Sequence, residues 1–79
     1  MTENISLALI EIIQTELHWE QKTLPKGALA EQLDSIQRLS LMVAIEDHFT
    51  IIFSQEDEER IDTIDDVILL IEEKIEEKQ

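Results

Sequence analysis

Cysteine is absent, so the chain forms no disulfide and has no thiol of its own with which to do chemistry. Glycine and proline occur once each, as Gly27 and Pro25, and strong backbone breakers are confined to one short region. Tyrosine is missing, and the aromatic side chains are Trp19, Phe49 and Phe53 alone. Basic residues number 6 against 19 acidic ones, a net charge of −13. A surface of that sign repels nucleic acid and anionic membranes. It attracts proteins with basic patches and speeds their encounter. No apolar run approaches the ~18 residues of a membrane span. The opening residues, Met1-Thr2-Glu3-Asn4, lack the basic start of a signal peptide. A monomer in the cytoplasm, inserted in no membrane and bound to no nucleic acid, is the expectation. His18 and His48 have no second His or Cys at ligand spacing, so no metal site is expected. The acidic run Glu56 to Glu59 lacks the alternating ligands and the glycine of an EF-hand.

What is present is helix. The 79 residues make one domain, 1–79, and a chain of that size buries only about 60% of its unfolded surface. Good helix formers dominate, and the apolar residues recur at helical spacing, which predicts an all-α fold. The first helix runs from about Glu3 to Leu17, capped by Thr2 or Asn4, with Ile5, Ala8, Leu9, Ile12, Ile13 and Leu17 on its apolar face. Trp19 then covers one end of the core. Residues 20–33 form a long connection, pinned by Leu24, Leu29 and Leu33. A second helix spans Ser35 to about Phe49, and Ile51-Ile52-Phe53 reads as a loop dipping into the core. Ser54 caps a short helix over Gln55 to Arg60, with Asp57 at its third position. The last helix opens at Thr63 with Asp66 at the corresponding place, and Lys74 and Lys78 suit its C-terminal turns. Ile64, Val67, Ile68, Ile71 and Ile75 line its apolar face, which Leu69 and Leu70 widen. The sum is a four-helix bundle, three helices longer and one short. Its core should include Leu9, Ile12, Leu41, Ile45, Phe49, Ile64, Ile68 and Ile71.

The chemistry-bearing stretch is Leu33-Asp34-Ser35-Ile36. Asp34 is a good N-cap, and Gln37 stands three residues on, where a capping box wants Glu or Gln. Ser35 is thereby held in the first turn of a helix, beside backbone N–H groups and a dipole end that favour a phosphate. By itself this is also how any polar residue sits at a helix start. The helix that follows is more apolar than one buried face requires. Its apolar arc covers roughly 220°, against the ≳100° stripe of an ordinary surface helix. Either neighbours bury it on two sides, or Ile36 and Val43 stay exposed as a contact stripe beside Ser35. Ser35 has no activating partner evident in the sequence, and neither histidine flanks a nucleophile motif, so an enzyme is not expected.

The run from Asp34 to Ile64 resembles an acyl carrier protein. That family has a D-S-L or D-S-I motif, here Asp34-Ser35-Ile36, and a helix ending in E-x-x-F, here Glu46 to Phe49. Ile36, Leu39, Leu41, Met42, Ala44 and Ile45 fall between in the family's order. The acidic stretch Gln55 to Glu59 follows, then Ile61, Thr63 and Ile64. The resemblance implies a four-helix bundle of carrier type with 4′-phosphopantetheine joined covalently to Ser35. The reactive thiol then belongs to the cofactor, which suits a chain without cysteine. It implies as partners a phosphopantetheinyl transferase and acyl- or aminoacyl-loading ligases, synthases or transferases with basic docking patches. Asp34, Ile36, Val43, Glu46 and Asp47 are the expected partner-binding residues. Gln37, Arg38 and Ser40 depart from the family's acidic helix surface, and many relatives carry a glycine in the L-G-x-D-S segment where this chain has none. Weaker service to fatty-acid-synthesis enzymes is expected from that charge pattern. The cargo is left open among fatty acyl, polyketide and aminoacyl groups. The competing class is a small acidic helical interaction module, an adaptor or inhibitor, without a prosthetic group.

Overall fold

Each expected helix begins where a cap stands for it. The structure is a computed structural model that describes residues 4–78, without the side chain of Lys78. Helix α1 (Ile5–Leu17) starts at Asn4, whose side chain accepts from the backbone N–H of Leu7 at 3.2 Å. Thr2 and Glu3, the other candidates for its start, lie outside the described residues, as does the Lys78 side chain. His18 ends α1 in the left-handed region, at φ 55°.

A single helical turn, α2 (Leu29–Gln32), interrupts the connection that the sequence reads as loop. Four residues are too few to show a helical period, and no side chain caps this turn. Tertiary contacts hold it instead. Leu29 is fully buried, and its N–H donates to the carbonyl of Asp62 at 2.8 Å. The residues before it are tied down from several sides. Gln14 Nε2 donates to the Gln21 carbonyl at 3.0 Å, and Trp19 Nε1 donates to that of Thr23 at 2.8 Å. Gln32 Nε2 reaches back to the Lys26 carbonyl across Gly27, which sits at φ +85°. Only glycine takes that conformation without steric cost. Leu24, Leu33 and Trp19 pack half-buried against the core, as expected.

Helix α3 (Ser35–Phe49) is followed by α4 (Gln55–Glu59) and α5 (Ile64–Lys78). Between α3 and α4 the chain alternates, with Ile51 and Phe53 buried and Ile52 80% exposed. Ser54 and Asp57 form a complete capping box on α4. Thr63 and Asp66 exchange the same pair of bonds at the start of α5, at 3.0 and 3.4 Å. The N–H groups of Thr63 and Asp62 hold the Asp66 carboxyl below the ordinary carboxylate range.

Among the described residues the fold is all-α, with three longer helices as expected and two short ones where one was expected. Helix α1 packs along α3 and, over a shorter stretch, against α5. Leu9, Ile13, Leu29, Leu41, Ile45, Val67 and Ile71 are sealed from solvent at the centre. Of the eight expected core residues, seven are buried and Ile68 is only partly so. Leu70, read as widening the face, takes the deeper place, while Leu69 is 60% exposed. The radius of gyration, 11.8 Å, matches the ~11.6 Å expected for one packed unit of this length.

Helix α4, Gln-Glu-Asp-Glu-Glu, has no apolar side chain of its own. Charge secures it. Among the described residues Asp57 is the buried charged one, and Lys74 of α5 reaches it at 2.8 Å. That ammonium, with the N–H of Ser54, pulls the Asp57 carboxyl down to about 2. Lys74, expected to serve the C-terminal turns of α5, is thus committed to α4. Arg60 bridges to Glu73 at 3.5 Å. Arg38 of α3 donates to the carbonyls of Glu58 and Ile61 at 3.2 and 3.1 Å, closing the C-terminal end of α4.

Candidate functional site around Ser35

The local sequence builds the start of α3 without help from the rest of the fold. Asp34 is extended (φ −81°, ψ 177°), and its Oδ1 accepts from the N–H of Gln37 at 2.7 Å. Gln37 Oε1 accepts from the N–H of Asp34 at 3.1 Å, completing the capping box read from the sequence. Ser35 is therefore the first residue of a 15-residue helix, and it is exposed. The first-turn N–H groups of Ser35 and Ile36 have no acceptor within the helix. They add to the positive end of the α3 dipole beside the hydroxyl. Any group joined to Ser35 Oγ stands in solvent, and a phosphate there would meet favourable charge. His48, at the other end of α3, is ~20 Å away at 1.5 Å per residue, too far to act on Ser35 as a base. Among the described residues, no group of three or more His, Asp or Glu side chains is placed to hold a metal ion.

Next to Ser35 lies an apolar stripe. Ile36, Leu39 and Val43 are 76%, 61% and 53% exposed. Spaced three and four residues apart, they share one face of α3. The excess apolar arc of this helix is thus not all core. Leu41, Met42, Ile45 and Phe49 are buried, and the remaining side faces out. Leu39 belongs to the exposed set, which the arc alone does not reveal. The stripe borders a groove of ≈ 790 Å³ between α1 and α3. Leu39, Val43 and Asp47 line it from α3, and Glu11, Thr15 and Glu16 from α1.

The expected partner-binding residues differ in their surroundings. Asp34 is exposed, but its carboxylate is engaged in the cap. Ile36 projects beside Ser35, and Val43 and Asp47 border the groove. Glu46 is turned inward. It is half-buried, and its Oε2 accepts from the N–H of Phe53 at 2.8 Å, holding the segment after α3. Arg38 does not stand among the exposed charges of α3 either, because its guanidinium covers the end of α4. Ser40 is half-buried in the groove wall. The groove's α1 wall has one signal in the sequence, Glu11 and Glu16 set away from the apolar face. Only the packing shows that they face α3. Among the described residues, no helix is long and apolar enough to cross a membrane. No family model, curated protein or solved structure matches the chain.

Proposed function

We propose that the chain is an acyl carrier protein whose Ser35 bears 4′-phosphopantetheine through a phosphodiester. The observation that carries this reading is the Ser35 hydroxyl, exposed as the first residue of α3 and followed at once by the bare stripe of Ile36, Leu39 and Val43. The residues present fit the group. Ser35 Oγ is the attachment atom, and the open N–H groups of the first turn favour the phosphate. When bound, the arm supplies a terminal thiol that holds an acyl group, whether fatty acyl, polyketide or aminoacyl, as a thioester. The rest of the chain positions and presents. Asp34 and Gln37 fix the start of α3, and Ile36, Val43 and Asp47 offer a surface beside it to a phosphopantetheinyl transferase and to acyl-handling enzymes with basic docking patches. The protein is a substrate of those enzymes and not itself an enzyme. A net charge of −13 opposes self-association and favours a monomer, which this reading sets in the cytoplasm.

The test is incubation with a phosphopantetheinyl transferase, coenzyme A and Mg²⁺, read by intact mass, beside native protein from its own host. The wild type should gain one phosphopantetheine and Ser35→Ala none, with the two equally stable because Ser35 is exposed. Modification of the alanine variant refutes the assignment. Native protein without the adduct leaves the second class, an acidic interaction module, in its place.

A further inference from the structure

We infer that Arg38 is the protein's second hold on the arm: its guanidinium takes the phosphodiester at Ser35 while staying bonded to the end of α4. This rests on the carrier reading and deepens it, by naming a residue that meets the phosphate beyond the attachment atom. Arg38 is half-buried, and among the described residues no carboxylate stands within 4.0 Å of its guanidinium. That is unexpected in a chain with 19 acidic residues against 6 basic ones. Arg60 and Lys74 each have an acidic partner. Arg38 meets neutral carbonyls instead, those of Glu58 and Ile61. Its Nη2 makes both bonds, and the N–H groups of Nε and Nη1 have no acceptor among the described residues. A cation drawn partly out of water without an anion costs stability. A guanidinium kept in that state, with donors to spare, fits an anion that arrives later.

Placement says which anion. Ser35 stands three positions before Arg38 on α3. Residues so spaced share a face, with about 5–6 Å between their Cβ atoms. Helical side chains lean towards the N-terminus, so the Arg38 stem runs back over the turn that holds Ser35. The carbonyls it covers belong to the same end of the molecule. Asp62, next to Ile61, accepts from the N–H of Leu29, in the segment that leads into Ser35. Asp34, the acid nearest Ser35 in sequence, is engaged in the cap. A phosphodiester oxygen brings the charge that the carbonyls lack, and hydrogen bonds to an ionised acceptor are roughly twice as strong as neutral ones. Once held at the phosphate, Arg38 has already lost its rotamer freedom, so its bonds to Glu58 and Ile61 form at lower entropic cost. Loading of Ser35 thereby tightens α4, and by linkage an ordered α4 strengthens the hold on the phosphate.

The experiment uses the full chain made by total chemical synthesis, with Ser35 either free or carrying a methyl phosphodiester. That probe has the charge of the arm's phosphate and needs no transferase. Failure of the carrier reading shows in the transferase assay, and failure of this inference shows here. The readout is hydrogen exchange at the amides of Glu58, Arg60 and Ile61, which are bonded in and just after α4, with the amides of α1 as reference. The diester should slow the α4 set about fivefold or more and α1 less than about twofold. With Arg38→Lys, which keeps the charge but not the fork of donors, the diester should leave α4 exchange unchanged. Arg60→Gln loosens α4 through its bridge to Glu73 and leaves Arg38 in place, so there the slowing should persist. Circular dichroism confirms that each variant is folded. No slowing in the unsubstituted chain overturns the inference, as does faster exchange, since the phosphate then draws Arg38 off α4. Equal slowing of α1 and α4 overturns it by reducing the effect to charge at the start of α3. Slowing that survives Arg38→Lys, or that vanishes in Arg60→Gln, overturns it as well, because the effect then does not follow Arg38.

Discussion

Replacing Asp57 by Asn keeps the shape of the side chain and removes its charge. In the folded protein this carboxyl sits at about 2, against an ordinary 3.8, chiefly because Lys74 bonds to it. At 1.36 kcal/mol per pH unit, that difference is worth about 2.5 kcal/mol of stability. The geometry supports a value of this size, since the Asp57 side chain is only 12% exposed and the Lys74 nitrogen is 2.8 Å away. The sign follows from which state takes the proton first. Above 3.8 both folded and unfolded chains are ionised at Asp57, and the full contribution is present. As pH falls from 3.8 towards 2 the unfolded chain is protonated first, and the contribution is lost. Asp57→Asn should therefore be less stable by about 2–3 kcal/mol at neutral pH, with the gap closing between about pH 4 and pH 2. Urea denaturation of both proteins at a series of pH values measures it. Subtracting one profile from the other cancels the remaining carboxylates, which titrate in both. A gap under about 0.5 kcal/mol at neutral pH, or one that stays constant down to pH 2, refutes the reasoning. Adding Lys74→Met supplies a further check. The double variant should lose less than the sum of the single ones, because one single change strands the half-buried Lys74 and the other the buried Asp57.

Phe49→Ala should cost about 3–4 kcal/mol in the same assay, because the ring is buried at the end of α3; a loss well under 1 kcal/mol would mean the core lies elsewhere. Glu46→Lys should cost about 1–2 kcal/mol, because it removes the acceptor of the Phe53 N–H. Asp47→Lys, at an exposed position, should leave stability within about 0.5 kcal/mol of the wild type. It should slow transferase modification of Ser35 at low salt and flatten the salt dependence, and an unchanged salt profile excludes Asp47 from the docking rim.

What the chain discloses in its sequence is what its neighbours in sequence decide. Asn4, Asp34 with Gln37, Ser54 with Asp57, and Thr63 with Asp66 all cap as read, because each bond closes within three residues. The start of α3 follows from the same local chemistry. Distant partners are another matter. Asp57 and Lys74 stand 17 positions apart, and Arg38 reaches carbonyls 20 and 23 positions on. Nothing in composition or periodicity pairs them. Glu46 looks like a surface acid on its helix, and only the returning chain at Phe53 gives it an internal role. In α5, Ile68 and Leu70 flank the same central line through Ile64, Val67 and Ile71. Which flank is buried depends on where α1 lies, and a helical period carries no such information. The Ser35 site divides in the same way. Its cap is local and legible, whereas the groove beside it exists only once α1 is laid along α3.

The attachment of α4 by charge makes the protein a composite of two materials. The three longer helices cohere through apolar contact, which excluded salts such as sulfate strengthen. The five residues of α4, and Arg60 just after them, are joined to those helices by ion pairs and carbonyl bonds at Asp57, Arg60 and Arg38, and chloride salts screen such links where solvent reaches them. Sodium chloride should therefore loosen α4 and leave the main body intact, while sodium sulfate tightens the body far more than α4. A small segment that opens independently of global unfolding exchanges its amide hydrogens early. The amides of α4 then act as a built-in gauge of ionic strength, read against the slow amides of α1 and α3 in the same molecule.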